Sequence, residues 1–71
     1  MPTLRETRLS QVLSQRDLAQ KAGVAPKTIV DLELGRQEPR LRTMRRLAEA
    51  LGINVIDVDE FRQAIEEKVA A

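Results

Sequence analysis

The stretch Leu13–Gly35, LSQRDLAQKAGVAPKTIVDLELG, decides how this 71-residue chain folds. Ser14 is an N-cap residue with Asp17 three positions on, and Leu18, Ala19 and Ala22 make one apolar helical face. Gly23 follows, a residue that accepts the left-handed backbone common just past a helix end. Pro26 then suits the first position of a second helix, where its missing N–H would have been unpaired anyway. Ile29 and Leu32 give that helix an inward face, and Gly35 closes it. The reading is two short helices joined through Gly23-Val24-Ala25.

Outward from this pair the pattern stays helical. Thr3 and Glu6 form a T-x-x-E capping box, which predicts a first helix from Leu4 to about Val12. After the turn at Pro39, LRTMRRLAEALG places Leu41, Met44, Leu47, Ala48 and Leu51 on one stripe, expected to face the core. Gly52 ends this helix. Asn54 or Asp57 is expected to cap a fifth helix over about residues 58–69, with Val58, Phe61, Ile65 and Val69 along one face. The cluster Ile53-Asn54-Val55-Ile56 is too short to argue for a strand. The expected fold is all-α, a compact five-helix domain spanning residues 1–71 as one unit, with Phe61, the sole aromatic, packed against the first helix.

Composition narrows the function. With no Cys and no His, disulfides, thiolate or imidazole metal ligands and the usual nucleophile and base pairs are absent. No catalytic, cofactor or metal site is expected, and the chain does not read as an enzyme. No apolar run approaches the roughly 18 residues needed to span a bilayer. The start, Met1-Pro2-Thr3-Leu4, lacks a signal peptide's basic and apolar regions, so the expected location is cytoplasmic. The formal charge of +1 is unevenly spread: residues 36–46 hold five arginines against one glutamate, whereas residues 47–71 hold six carboxylates against two cations. One part of the surface would attract a polyanion and the tail would repel it.

Two helices joined by a short glycine turn within a helical bundle are the ingredients of a helix-turn-helix. The residues are more specific than the spacing: Ser14-Gln15, Leu18-Ala19, Ala22-Gly23, Thr28-Ile29, Leu32 to Gly35, Pro39 to Met44, and Leu47 to Gly52. In these the chain resembles the Cro and phage-repressor family of helix-turn-helix DNA-binding domains, the xenobiotic-response-element type of transcriptional regulator, over about residues 4–58. The resemblance implies the lambda-repressor-like fold, with the second helix of the pair entering a major groove of double-stranded DNA. It implies a structural ion pair between Arg8 and Glu33. It places Ser14 and Gln15 against the phosphate backbone, Pro26, Lys27, Val30 and Asp31 toward base edges with Thr28 nearer the phosphates, and Arg36, Arg40 and Arg42 on phosphates.

The residue chemistry is compatible with those roles. Lys27 can donate to guanine, Asp31 can accept from cytosine N4, and Val30 can pack on a thymine methyl. Lys27 and Asp31 are also neighbours at i, i+4 and can simply pair with each other. Ala25 stands where a Ser or Thr cap is usual in the family, Thr7 occupies an apolar position, and Leu9 and Leu34 fall where polar residues are common.

The apolar edge of the last helix either completes the core or, through Val58, Ile65 and Val69, forms a two-fold dimer interface. A homodimer is expected, reading a palindromic site. The leading expectation is a sequence-specific regulator, a repressor occupying a promoter. The alternatives are an antitoxin-type protein that binds a toxin and its own promoter, and a protein-interaction module that has lost DNA binding.

Overall fold

The structure is a computed structural model that describes residues 2–70. Five α-helices follow one another: α1 (Leu4–Ser10), α2 (Gln15–Ala22), α3 (Pro26–Glu33), α4 (Leu41–Leu51) and α5 (Asp59–Ala70), with a 3₁₀ turn at Val55–Asp57 before the last. Among the described residues there is no strand, as the sequence pattern predicts.

Local chemistry sets the boundaries. The capping box at α1 forms in both directions, Glu6 N–H donating to Thr3 Oγ1 (3.1 Å) and Thr3 N–H to Glu6 Oε1 (2.9 Å). Ser14 and Asp17 do the same for α2, at 2.9 and 3.1 Å. Each pair satisfies end-of-helix N–H groups that would otherwise depend on water. Gly23 ends α2 in the left-handed conformation, φ 72°, and the guanidinium of Arg46 donates to its carbonyl at 3.2 Å. That contact places one of the arginines of the basic segment on the C-terminal end of α2, where a cation is favoured.

The core is one cluster made by all five helices: Leu4, Leu18, Ala19, Ala22, Ile29, Leu32, Met44, Leu47, Leu51, Val58, Phe61 and Ala64. Leu4 of α1 and Phe61 of α5 both have no exposed surface. Thr7, unexpected at an inward position, is buried with its hydroxyl donating to the Thr3 carbonyl at 3.0 Å.

Four expectations need correction. The first helix stops at Ser10 instead of continuing to Val12, because Val12 adopts the left-handed conformation, φ 57°. Leu41 is not a core residue but 58% exposed. It stands on the first turn of α4, and Pro39 just before it is buried. Neither Asn54 nor Asp57 caps α5; Asn54 N–H donates to Asp57 Oδ2 (3.2 Å) to close the 3₁₀ turn. Glu60 reaches instead across the molecule and accepts from Leu4 N–H at 2.9 Å, while Asp59 N–H donates to the Pro2 carbonyl at 2.8 Å. The starts of α1 and α5 are thus stitched together. Finally, Val58 belongs to the core, with 0% exposure, and is unavailable to a dimer interface. Val69 is 82% exposed and Ile65 is half-buried against the core.

Candidate nucleic-acid interface

α3 is held by its inward residues, Ile29 and Leu32, and by a buried polar anchor at its end. Arg8 Nε donates to Glu33 Oε2 at 2.7 Å and Nη2 to Oε1 at 3.1 Å, a two-pronged pair whose side chains are 7% and 4% exposed. The remaining nitrogen, Nη1, donates to the Leu13 carbonyl at 2.8 Å. Gln15 Nε2 donates to Glu33 Oε1 at 3.1 Å. The planar fork of arginine suits a carboxylate in this arrangement, and no buried side-chain nitrogen or oxygen among the described residues lacks a partner. The expected Arg8–Glu33 pair is present. It fixes the angle of α3 against α1 and draws in the side chain that opens α2.

Thr28 and Val30, two positions apart and therefore about 200° around the helix, border different clefts. The Val30 cleft, about 480 Å³, is lined by Arg5, Arg8, Ser14, Gln15, Val30, Glu33 and Leu34. On the Thr28 side lies a strongly polar cleft of about 380 Å³ lined by Thr28, Gln37, Glu38, Arg40 and Thr43. α3 therefore presents a ridge between two grooves, each rimmed by an arginine. On the ridge Pro26 and Lys27 are exposed, and Lys27 Nζ lies 4.0 Å from Asp31 Oδ2. The Asp31 side chain is only 13% exposed, against 86% for Lys27.

The starts of the helices differ in kind. α2 carries its own cap, whereas Ala25 before α3 and Arg40 before α4 supply no side-chain cap. Pro26 has no N–H and the Thr28 N–H donates to the Ala25 carbonyl at 3.0 Å, so within the first turn of α3 it is the Lys27 N–H that is left without a side-chain acceptor, whereas the first turn of α4 keeps its N–H groups free of any side-chain cap. The Asp17 carboxylate that caps α2 is held below the usual aspartate range by the Ser14 N–H and then the Ser14 hydroxyl. Glu6 is lowered in the same way by Thr3.

The sequence-predicted residues thus fall into three places. Ser14, Gln15 and Val30 meet in one cleft and Thr28 and Arg40 in the other, with Pro26, Lys27 and Asp31 on the ridge between. Arg42 is exposed on the first turn of α4. Arg36 stands apart, exposed and bordering a groove against α5 that also includes Glu38, Glu60 and Glu67. Arg5, Leu34 and Thr43 were not singled out for these clefts by the sequence. Arg5 carried a usable signal, since it precedes Arg8 by three residues and so shares its side of α1.

A tight left-handed turn between α2 and α3, with α3 anchored from behind and free in front, defines a helix-turn-helix DNA-binding domain. The helix-turn-helix family profile matches residues 4–58. The chain belongs to the Cro and phage-repressor family of helix-turn-helix transcriptional regulators. An uncharacterised HTH-type transcriptional regulator of Methanothermobacter thermautotrophicus is 45% identical over 49 residues, covering 69% of this chain and 71% of that protein. The cryptic phage CTXphi transcriptional repressor RstR of Vibrio cholerae is 31% identical over 67 residues, covering 93% of this chain and 60% of its own length. The HTH-type transcriptional regulator DdrOP3 of Deinococcus deserti is 40% identical over 57 residues, 80% of this chain and 44% of that protein. No solved structure matches the chain. No helix among the described residues is long and apolar enough to cross a membrane.

Proposed function

We propose that this protein is a repressor that binds a palindromic operator as a homodimer and acts by occupying promoter DNA in the cytoplasm. The observation that carries the reading is the α3 ridge with an arginine-rimmed cleft on each flank. A ridge of that kind suits a major groove, and its two flanks suit the phosphate strands that border the groove. Ser14 and Gln15 serve one strand, with Arg5 beside them. Thr28, Arg40, Arg42 and Thr43 serve the other, and Arg36 adds long-range attraction from the adjoining loop. Lys27, Val30, Asp31 and Pro26 face the bases.

The dimer uses apolar groups left on the surface, Val69 and Ile56 at 82% and 55% exposure, together with the half-buried Ile65. Two-fold symmetry would set the reading helices about 34 Å apart, one turn of DNA.

The test is selection of bound sequences from a randomised duplex library, followed by affinity against salt concentration. Enrichment of a palindrome with half-sites about ten base pairs apart supports the reading. Arg40→Gln and Arg42→Gln should each flatten the salt slope by about one unit on every sequence. Absence of duplex binding at low salt would refute it and leave a protein partner, such as a toxin, as the object of search.

A further inference from the structure

The outward surface of α3 has little capacity for hydrogen bonding. Pro26, Val30 and Leu34 recur every four residues and so share one side of the helix. Pro26 is exposed, Val30 is half-buried and Leu34 is 60% exposed. Leu34 and Val30 form the apolar wall of the cleft that also holds Ser14 and Gln15. Beside this stripe the two charged residues face one another, Lys27 Nζ 4.0 Å from Asp31 Oδ2, and the carboxylate is largely withdrawn. Pro26 has no N–H, and Gln15 has committed one amide hydrogen to Glu33.

A single exposed apolar side chain means nothing. Here three lie on one line, Val30 and Leu34 in the wall of the cleft rimmed by Arg5, with the cleft rimmed by Arg40 on the other flank of α3. The occupant this surface fits presents apolar groups flanked on both sides by anions. On the edges of base pairs in a major groove the apolar group is the thymine C5-methyl, and phosphates border it.

Resting on the DNA-binding reading above, we propose that α3 selects its half-site by thymine methyl groups, with Val30 and Leu34 packing on separate methyls and Lys27 the one long donor. Hydrogen-bond readout is secondary at this surface. Phosphates border a major groove on both sides at regular spacing, and the arginine rims on both flanks of α3 match that arrangement.

The test uses the full chain and the duplex recovered by selection, with each thymine replaced singly by deoxyuridine. This change removes the methyl and keeps base pairing and the O4 acceptor. The expected result is a rise in Kd of about fourfold at each of two positions in a half-site, the equivalent of about 0.8 kcal/mol per methyl buried. Val30→Ala and Leu34→Ala should each erase the thymine–uracil difference at one of those positions. The proposal is overturned if no replacement changes Kd by as much as twofold, or if both variants keep the full discrimination. In either case salt-dependent binding of the wild-type chain would show that the DNA-binding reading survives. If the chain binds no duplex at low salt, both readings fall together.

Discussion

Breaking the Arg8–Glu33 pair from one side should come close to unfolding the domain. Both side chains are more than nine-tenths buried, and Arg8 makes three hydrogen bonds, two to Glu33 and one to the Leu13 carbonyl. Glu33→Leu leaves a guanidinium that cannot lose its proton, with only the Leu13 carbonyl as partner. Arg8→Met leaves a carboxylate supported by Gln15 alone and strips the Leu13 carbonyl as well. Removing one member of a buried pair costs about 3–5 kcal/mol. A domain of this length has about 4–10 kcal/mol in total, and each kcal/mol shifts Tm by about 4–8 °C. Each single variant should therefore melt at least about 12 °C below wild type.

Arg8→Met/Glu33→Leu should recover most of the loss, because apolar groups of similar volume often replace a buried pair without net penalty. The double variant is expected about 1–2 kcal/mol below wild type, a deficit set by the unpaired Leu13 carbonyl. The assay is urea unfolding followed by circular dichroism for all four proteins. A single-variant cost under about 1 kcal/mol, the range of exposed pairs, would refute the reasoning. So would simple additivity, since coupling of about 3 kcal/mol or more is required. Arg62–Glu66, at 3.0 Å but 48% and 62% exposed, is the internal contrast: Arg62→Ala should fall within about 0.5 kcal/mol of wild type.

Val12 is a β-branched residue at φ 57° and 88% exposed, so Val12→Gly should raise stability by about 1 kcal/mol in thermal unfolding, having strain to remove and little packing to lose. Glu6 and Asp17 have folded pKa values below their ordinary 4.5 and 3.8 because each accepts from a backbone N–H and then a hydroxyl. Their contribution is therefore present above about pH 4.5 and lost as pH falls through the lowered folded values. Urea midpoints from pH 7 to pH 3 should show this acid limb, flattened in Glu6→Gln/Asp17→Asn. Arg40→Ser gives α4 the side-chain cap it lacks; it should raise stability by about 1 kcal/mol while weakening duplex binding, both read on the same preparation.

The sequence made the helices legible wherever a cap or a glycine stated the boundary. Thr3/Glu6, Ser14/Asp17, Gly23 and Gly52 act as they read because a cap depends on a few adjacent residues. Periodicity failed where position along the helix mattered more than phase. Leu41 has the phase of the core stripe but stands on the first turn, and Val69 has the phase of Phe61 but stands at the far end of α5, 82% exposed. Glu60 bonds the backbone of Leu4, a partner 56 positions away that no local pattern encodes. At the candidate interface, the residues expected to face DNA came from the family resemblance, whereas the Gln15–Glu33 bond and the two clefts flanking α3 depend on how α1, α2 and α4 approach it.

The distribution of caps links this fold to its work. α1 and α2 close their own first turns with Thr3/Glu6 and Ser14/Asp17, while α3 and α4 begin at Ala25 and Arg40 with no side-chain acceptor. A missing cap costs a free helix about 1 kcal/mol, so two open ends are a noticeable fraction of a small domain's stability. The polar cleft joins Thr28 of α3 to Arg40 and Thr43 at the start of α4. Glu38, the carboxylate lining that cleft, has Lys68 Nζ 3.6 Å away on α5, which offsets negative charge where an anion would approach. A phosphate oxygen arriving there would meet donors that no internal side chain has claimed, and the stability left out of the free fold would reappear as affinity.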